Sequence, residues 1–196
     1  MNELSDLQER LDLSEERNRI NNIVAVSVAL LSVFMAITKV KDDNIVQTML
    51  QAKSDAVDSW NEYQSTKIKH HLAELGVNQA KSQKLMLQGR GEGEVAKQQE
   101  RYEAAIIHYQ TEEKDLAMKA RALEKQYDAL NYRDDQFDLS DATVSISLAL
   151  LAVTSLTGKR KLLLLAWVFA GFGIIMGVAG LVGLSLHPDL LVKMLS

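Results

Sequence analysis

Three long stretches without a charged residue or a histidine constrain the fold of this chain more than any other feature. They cover residues 20–38, 142–158 and 162–186, which are 19, 17 and 25 residues long. A helix needs about 20 mostly apolar residues, within a range of about 17 to 25, to cross the hydrocarbon core of a bilayer. The stretches therefore predict three transmembrane helices, and the mean hydropathy of −0.08 averages them with a charged remainder.

Two of these stretches admit alternatives. Residues 142–158 are short and rich in Ser and Thr, so a buried helix of a soluble protein is the competing interpretation. The following stretch argues against it, because the polar turn 158–161 joins the two as a transmembrane hairpin. Residues 20–38 resemble a signal peptide in length, but the segment before them is rich in Asp and Glu. Since a signal peptide begins with a short positive region, we predict a retained transmembrane helix.

The basic loop between the second and third stretches predicts the orientation. Lys159, Arg160 and Lys161 lie in the shortest loop, and short loops rich in Lys and Arg stay in the cytoplasm. This places the N-terminus in the cytoplasm and the central segment in the periplasm, whereas Lys39 and Lys41 favour the opposite orientation. We predict a multi-pass membrane protein, and the outer side of the membrane corresponds to the periplasm in a Gram-negative cell.

The central segment, residues 41–141, predicts an antiparallel helical hairpin. It has no proline, and its glycines are concentrated at residues 89–93, so the turn is expected near 88–94. The first arm carries an apolar stripe with spacings closer to an eleven-residue repeat than to a heptad. Its members are Met49, Ala52, Ala56, Trp60, Tyr63, Leu72 and Leu75, with Ile68 close to the line.

The second arm carries a regular heptad seam. Eleven positions alternate in steps of four and three, as in a coiled coil: Tyr102, Ile106, Tyr109, Glu113, Leu116, Ala120, Leu123, Tyr127, Leu130, Asp134 and Phe137. The acidic members Glu113 and Asp134 either set the register, facing a partner's Lys or Arg, or mark places where the seam rotates outward. We favour outward rotation.

Small residues form one continuous face of the third stretch. Ala166, Ala170, Gly173, Gly177 and Gly180 alternate in steps of four and three, and such faces let helices approach closely in lipid. The face predicts a packing seam within the subunit or in an oligomer. The remaining segments are an amphipathic N-terminal helix at 1–19, a first transmembrane helix at 20–40 and a C-terminal tail at 187–196.

Composition excludes several kinds of chemistry. The chain has no cysteine, so disulfides, Cys-bound zinc and thiolate catalysis are absent. No catalytic motif occurs, and His108 with Glu112 is only a weak metal pair. We therefore predict no catalytic, metal or cofactor site. The net charge of −4 gives no reason to expect nucleic acid as a partner.

Two short runs carry a resemblance to a known family. Residues 36–47 read AITKVKDDNIVQ and residues 60–64 read WNEYQ. Together with Phe137 and Asp138, they resemble a bacterial family of small membrane proteins catalogued only as a domain of unknown function. The resemblance implies an inner-membrane protein with an exposed helical segment, and it implies no reaction or site residue.

The sequence therefore predicts an all-α membrane protein with three transmembrane helices and a long coiled-coil hairpin between the first and second. The predicted function is a non-enzymatic, self-assembling scaffold, with the lipid bilayer and further copies of the chain as partners. Its subunits are expected to associate through the Tyr102–Phe137 seam and the Ala166–Gly180 face. One alternative is a pore or transport subunit, in which Ser27, Ser32, Ser147 or Thr154 would face the axis of an oligomer. The other is an accessory or sensor subunit that docks a different protein.

Overall fold

The computed structural model describes residues 2–87 and 91–184, and these residues form three α-helices packed antiparallel. They are α1 (Asn2–Met86), α2 (Glu92–Thr157) and α3 (Arg160–Val182). Each helix contains a stretch long and apolar enough to cross a membrane. Residues 88–90 of the predicted turn and the predicted tail lie outside the described residues.

The two long helices continue through the predicted segment boundaries. α1 passes residues 19–20 and 40–41 without a break, and α2 passes residues 141–142 in the same way. The sequence explains this continuity, because residues 2–75 and 94–157 contain neither glycine nor proline, the residues that most often end helices. Each of the two long helices therefore contains both an apolar and a polar segment.

Glycines in the left-handed conformation end α2 and α3. Gly158 has φ of 67°, and its N–H donates to the Thr154 carbonyl at 2.8 Å. Gly183 has φ of 75° and donates to the Ala179 carbonyl at 2.8 Å. Glycine adopts this conformation without the strain that a Cβ causes. α3 consequently ends at Val182, short of the predicted limit at residue 186.

The described residues form two compact units. The three-helix unit contains residues 2–47 and 130–184, and the two-helix unit contains residues 48–87 and 91–129. The core of the three-helix unit draws on all three helices and consists of Ile20, Val24, Leu31, Val144, Leu151, Leu163, Ala166 and Ala170.

The interior of the three-helix unit is rich in small and hydroxyl residues. Ser147 and Thr154 are fully buried, while aliphatic side chains such as Leu30 and Val168 are 67% and 68% exposed. In a soluble bundle the large aliphatic side chains are the ones most often buried. The observed distribution is the one expected of helices that face lipid.

α3 packs on α2 at a distance that only glycine allows. A Cβ added to Gly173 would lie 2.7 Å from Val144 Cγ2 and 3.1 Å from the Ser140 carbonyl oxygen. The Ser140 hydroxyl donates to the Gly173 carbonyl at 2.8 Å, and the Ser147 hydroxyl donates to the Ala166 carbonyl at 2.8 Å. The close approach and these interhelical hydrogen bonds depend on each other.

We expect Gly173→Ala to destabilise the protein by about 1–3 kcal/mol, because the added methyl group has no space. Gly171→Ala is the matched control, since a Cβ there meets no atom within 4 Å. In a helix this second substitution should stabilise by up to about 1 kcal/mol. Thermal unfolding of both variants in detergent measures the difference. Equal unfolding temperatures would contradict close packing at Gly173.

Candidate functional site

The predicted seam of α2 faces α1 within the same chain. From Tyr102 to Tyr127, every seam position is buried or partly buried. In the two-helix unit, the ring of Tyr102 covers Gly76, and Lys53 Nζ lies 4.9 Å from the centre of the Tyr127 ring. The other members, Ile106, Tyr109, Leu116 and Leu123, are partly buried, and Ala120 is fully buried.

The prediction for the facing side of α1 is wrong beyond Tyr63. Ile68, Leu72 and Leu75 are 61%, 60% and 63% exposed. The side chains that face α2 are small or polar, and they continue the heptad steps of four and three: Ser59, Tyr63, Thr66, His70, Ala73, Val77 and Ala80. The eleven-residue repeat describes the apolar residues of α1, whereas the positions buried against α2 are mostly small or polar and follow a heptad repeat.

The acidic seam residue Glu113 points inward, so the predicted outward rotation is wrong there. Its Oε1 atom lies 2.8 Å from Nδ1 of His70, and the two side chains are 17% and 12% exposed. Nε2 of His70 lies 3.6 Å from Oε1 of Glu74. Glu113 thus has a histidine of α1 as its partner, whereas the prediction considered only Lys and Arg.

Acidic side chains also meet in the three-helix unit. Asp42 on α1 is 3% exposed, and its Oδ2 atom accepts a hydrogen bond from Lys39 Nζ at 2.9 Å. Asp134 of the predicted seam lies within hydrogen-bonding range of the Asp42 carboxyl. Burial, followed by this contact and the negative charge of Asp138, raises the pKa of Asp134 to about 7. Asp134 therefore faces inward as well.

Asp138 experiences the same surroundings to a smaller degree. Partial loss of solvent, followed by the charge of Asp42, raises the pKa of the largely exposed Asp138 carboxyl, and the positive charge of Lys39 opposes the shift. Repulsion between carboxylates and loss of solvent both favour the protonated form. The end of the three-helix unit at Asp42 consequently holds more negative charge than Lys39 alone balances.

Two side chains of α2 complete the C-terminal end of α3. Arg133 donates to the Gly180 carbonyl through Nε at 3.2 Å and Nη2 at 2.8 Å, and Gln136 donates to the Leu184 carbonyl at 2.7 Å. The last carbonyls of a helix have no partners in the helix itself and carry partial negative charge. A guanidinium group at this position satisfies both the geometry and the charge.

The small face of α3 lies inside the chain's own bundle. Ala166 and Ala170 are 0% and 6% exposed. Gly173 lies against α2, a Cβ on Gly177 would lie 2.6 Å from Phe34 Cζ of α1, and a Cβ on Gly180 would lie 2.9 Å from Phe137 Cζ. Of the two uses predicted for this face, the structure places it in packing within the subunit.

Three of the four hydroxyl residues considered for a pore form hydrogen bonds within the chain. Ser147 and Thr154 are fully buried and donate to backbone carbonyls. Ser27 accepts a long hydrogen bond from Trp167 Nε1 at 3.4 Å, and Ser32 is exposed. Ser147 and Thr154 therefore face the interior of the chain's own bundle.

The basic loop lies at the opposite end of the three-helix unit. Lys159, Arg160 and Lys161 are exposed, and Arg160 Nε lies 2.8 Å from Oε1 of Glu16. Among the described residues, no group of three or more His, Asp or Glu side chains is arranged to hold a metal ion. Two of the ion pairs, His70 with Glu113 and Arg160 with Glu16, connect one helix to another.

Sequence reasoning missed Asp42 and His70 as partners of the acidic seam residues. A signal was present, because the steps of four and three on α1 extend backward through Asp42 and Thr38 and forward through His70. The polar character of these positions concealed the register.

A protein-family model matches most of the chain. Residues 20–183 match the model of a domain of unknown function, DUF4337. The match begins at the first apolar stretch and ends at the glycine that caps α3. The chain belongs to this family. No curated protein and no solved structure matches it.

We expect the Glu113→Ala variant of this DUF4337 protein to lose about 1–3 kcal/mol of stability, because it leaves the mostly buried imidazole of His70 without its hydrogen-bond partner. Glu112→Ala is the control. Glu112 lies 3.7 Å from His108, which is 73% exposed, and exposed ion pairs contribute about 0–1 kcal/mol. Thermal unfolding in detergent compares the two, and an equal loss would show that the His70 contact is not stabilising.

Proposed function

We propose that this DUF4337 protein is a non-enzymatic scaffold of the bacterial inner membrane that assembles with copies of itself through its two-helix unit. The observation that carries the proposal is the exposed apolar stripe of Ile68, Leu72 and Leu75, called here the outer stripe. These residues follow steps of four and three on one face of α1, and each is at least 60% exposed. An apolar face of this kind on a polar helix usually packs against a partner.

The aliphatic surface of the three-helix unit supports insertion into a bilayer. On α1, the residues exposed at steps of four and three are Val26, Leu30, Val33, Ile37 and Val40, each at least 57% exposed. Exposing such a surface to water is unfavourable, by about 25 cal/mol for each Å². Lipid chains cover it without that cost, so the bilayer is the first partner of the protein.

A second copy is the partner we propose for the outer stripe. The seam residues of α2 already pack against α1 within the chain. We propose that these two arms form a coiled-coil hairpin. The outer stripe remains available, and in a two-fold dimer the same stripe is present on both subunits. The exposed outer stripe is therefore sufficient as the surface for self-association.

Mass measurement in native detergent tests this assembly. We expect a dimer or larger oligomer, and we expect Leu72→Glu with Leu75→Glu to convert it to a monomer, because each new carboxylate would lose its water in the interface. Both positions are exposed in the subunit, so folding should be retained.

The control adds two negative charges elsewhere. Gln110→Glu with Gln126→Glu changes exposed positions of α2 and should leave the oligomer intact. A wild-type monomer at micromolar concentration would refute self-assembly. A monomer that captures a different protein through the same stripe would favour the accessory-subunit alternative.

We further propose that the N-terminus is cytoplasmic and that the two-helix unit lies in the periplasm. The support is the basic loop Lys159–Lys161, since Lys and Arg in short loops are retained in the cytoplasm. Long segments translocate largely regardless of their charge, which accommodates Lys39 and Lys41.

Cysteine labelling tests the orientation, and the cysteine-free chain provides a clean background. We expect Lys97→Cys to react with a membrane-impermeant maleimide in cells whose outer membrane is permeabilised, because Lys97 is exposed in the two-helix unit. Lys161→Cys, also exposed, should react only after the inner membrane is lysed. The reverse pattern would place the two-helix unit in the cytoplasm.

A further inference from the structure

The Asp42 carboxyl is only half satisfied by its ion pair. The side chain is 5% exposed, and Lys39 Nζ contacts Oδ2 at 2.9 Å. The other oxygen, Oδ1, receives no hydrogen bond from an N–H or hydroxyl group among the described residues. A buried carboxylate oxygen without a donor is costly. The site is therefore stabilised if a neighbouring carboxyl group is protonated and donates its hydrogen to Asp42.

The Asp134 carboxyl is the group in position to supply that donor. It comes from α2 and lies within hydrogen-bonding range of the Asp42 carboxyl. Two ionised carboxylates only accept hydrogen bonds, so this contact forms when one of them carries a proton. The same arrangement underlies carboxyl pairs in which one proton is shared between two acids.

The remaining charged groups around the pair are mostly acidic. On α2 they are Asp135, Asp138 and Asp141, and on α1 they are Lys39 and Asp43, whose Oδ1 atom lies 3.8 Å from Lys39 Nζ. α3 carries charge only at Arg160 and Lys161, at its other end. Arg133 also lies nearby in sequence, but its guanidinium donates to the Gly180 carbonyl.

We propose that Asp134 binds a proton and donates it to the buried Asp42 carboxylate, forming a pH-operated link between α1 and α2. The link is closed when Asp134 is protonated. When Asp134 ionises, two carboxylates face each other in a poorly solvated site, and their repulsion favours separation of the helices. The two residues lie near Gln47 and Leu130, where the three-helix unit ends along each helix. The link operates whether or not the outer stripe mediates assembly.

The sign of the pH dependence follows from the raised pKa of Asp134. In the unfolded chain the carboxyl titrates near its ordinary value of 3.8, and in the folded protein it titrates near 7. Between these values the folded protein binds more protons, so the free energy of unfolding decreases as the pH rises. The stabilisation is complete below the unfolded value and is lost as the pH passes through about 7.

Thermal unfolding of the full chain in detergent at pH 5 to 8 tests the link. We expect the wild-type unfolding temperature to fall by about 5 °C across this range. Asp134→Asn should remove most of this dependence, because an amide donates to Asp42 at every pH. Asp128→Asn is the control, since it removes one exposed carboxylate from the same helix and should keep the wild-type dependence. An Asp134→Asn profile parallel to that of the wild type would overturn the proposal.

Infrared difference spectroscopy provides a second readout that needs no stable Asp134 variant. We expect the wild-type protein to show the C=O stretch of a protonated carboxyl at pH 6 and to lose it by pH 8. The Asp138→Asn variant should retain this band, which separates Asp134 from the other acid with a raised pKa. The absence of a titrating band in the wild type, or its loss in Asp138→Asn, would refute the shared proton at Asp134.

Discussion

The approach of α3 to its neighbours at glycine positions is the interaction on which the three-helix unit depends. Lipid chains are as apolar as leucine, so no hydrophobic force drives helices together inside a bilayer, and dispersion and hydrogen bonds act only at short range. Without a Cβ at Gly173, α3 comes close enough for Ser140 to reach a carbonyl of the facing helix. The same proximity lets Arg133 reach the Gly180 carbonyl at the end of α3. Packing, hydrogen bonding and helix capping are therefore consequences of one short separation.

A related size restriction shapes the two-helix unit. α1 presents mainly alanine, serine and threonine to α2, so most of the aromatic rings of the seam come from α2, as where Tyr102 covers Gly76. Because the inner face of α1 uses small residues, its large aliphatic residues occupy the outer face, where Leu72 and Leu75 are exposed. The outer stripe is thus a consequence of how the inner face is built. A chain that kept its leucines for its own seam would expose much less apolar surface.

Regular patterns were predictable from the sequence, and pairings across helices were not. The seam of α2 was found because its apolar residues repeat without interruption, and the turn at Gly158 was found because a glycine stands beside three basic residues. The inner face of α1 was missed because Ser59 and Thr66 look like surface residues until a partner helix covers them. The candidate site was missed for the same reason. Asp42 and His70 gain their roles only from the residue opposite, which a single sequence does not give.

The two acidic seam residues show how much the opposite residue decides. Glu113 faces an imidazole, whose Nδ1–H donates to the carboxylate in the charged ring and in the neutral tautomer that carries its hydrogen on Nδ1, so this contact does not require the acid to be protonated. Asp134 faces a carboxyl, which offers no hydrogen unless one acid keeps its proton. Equivalent positions of the heptad pattern therefore form different contacts. In the two-helix unit the residue opposite the acid supplies the hydrogen, and in the three-helix unit a hydrogen is present only while one carboxyl is protonated. Both seam residues are carboxylic acids, so the difference in pH response comes from the residue opposite rather than from the acid.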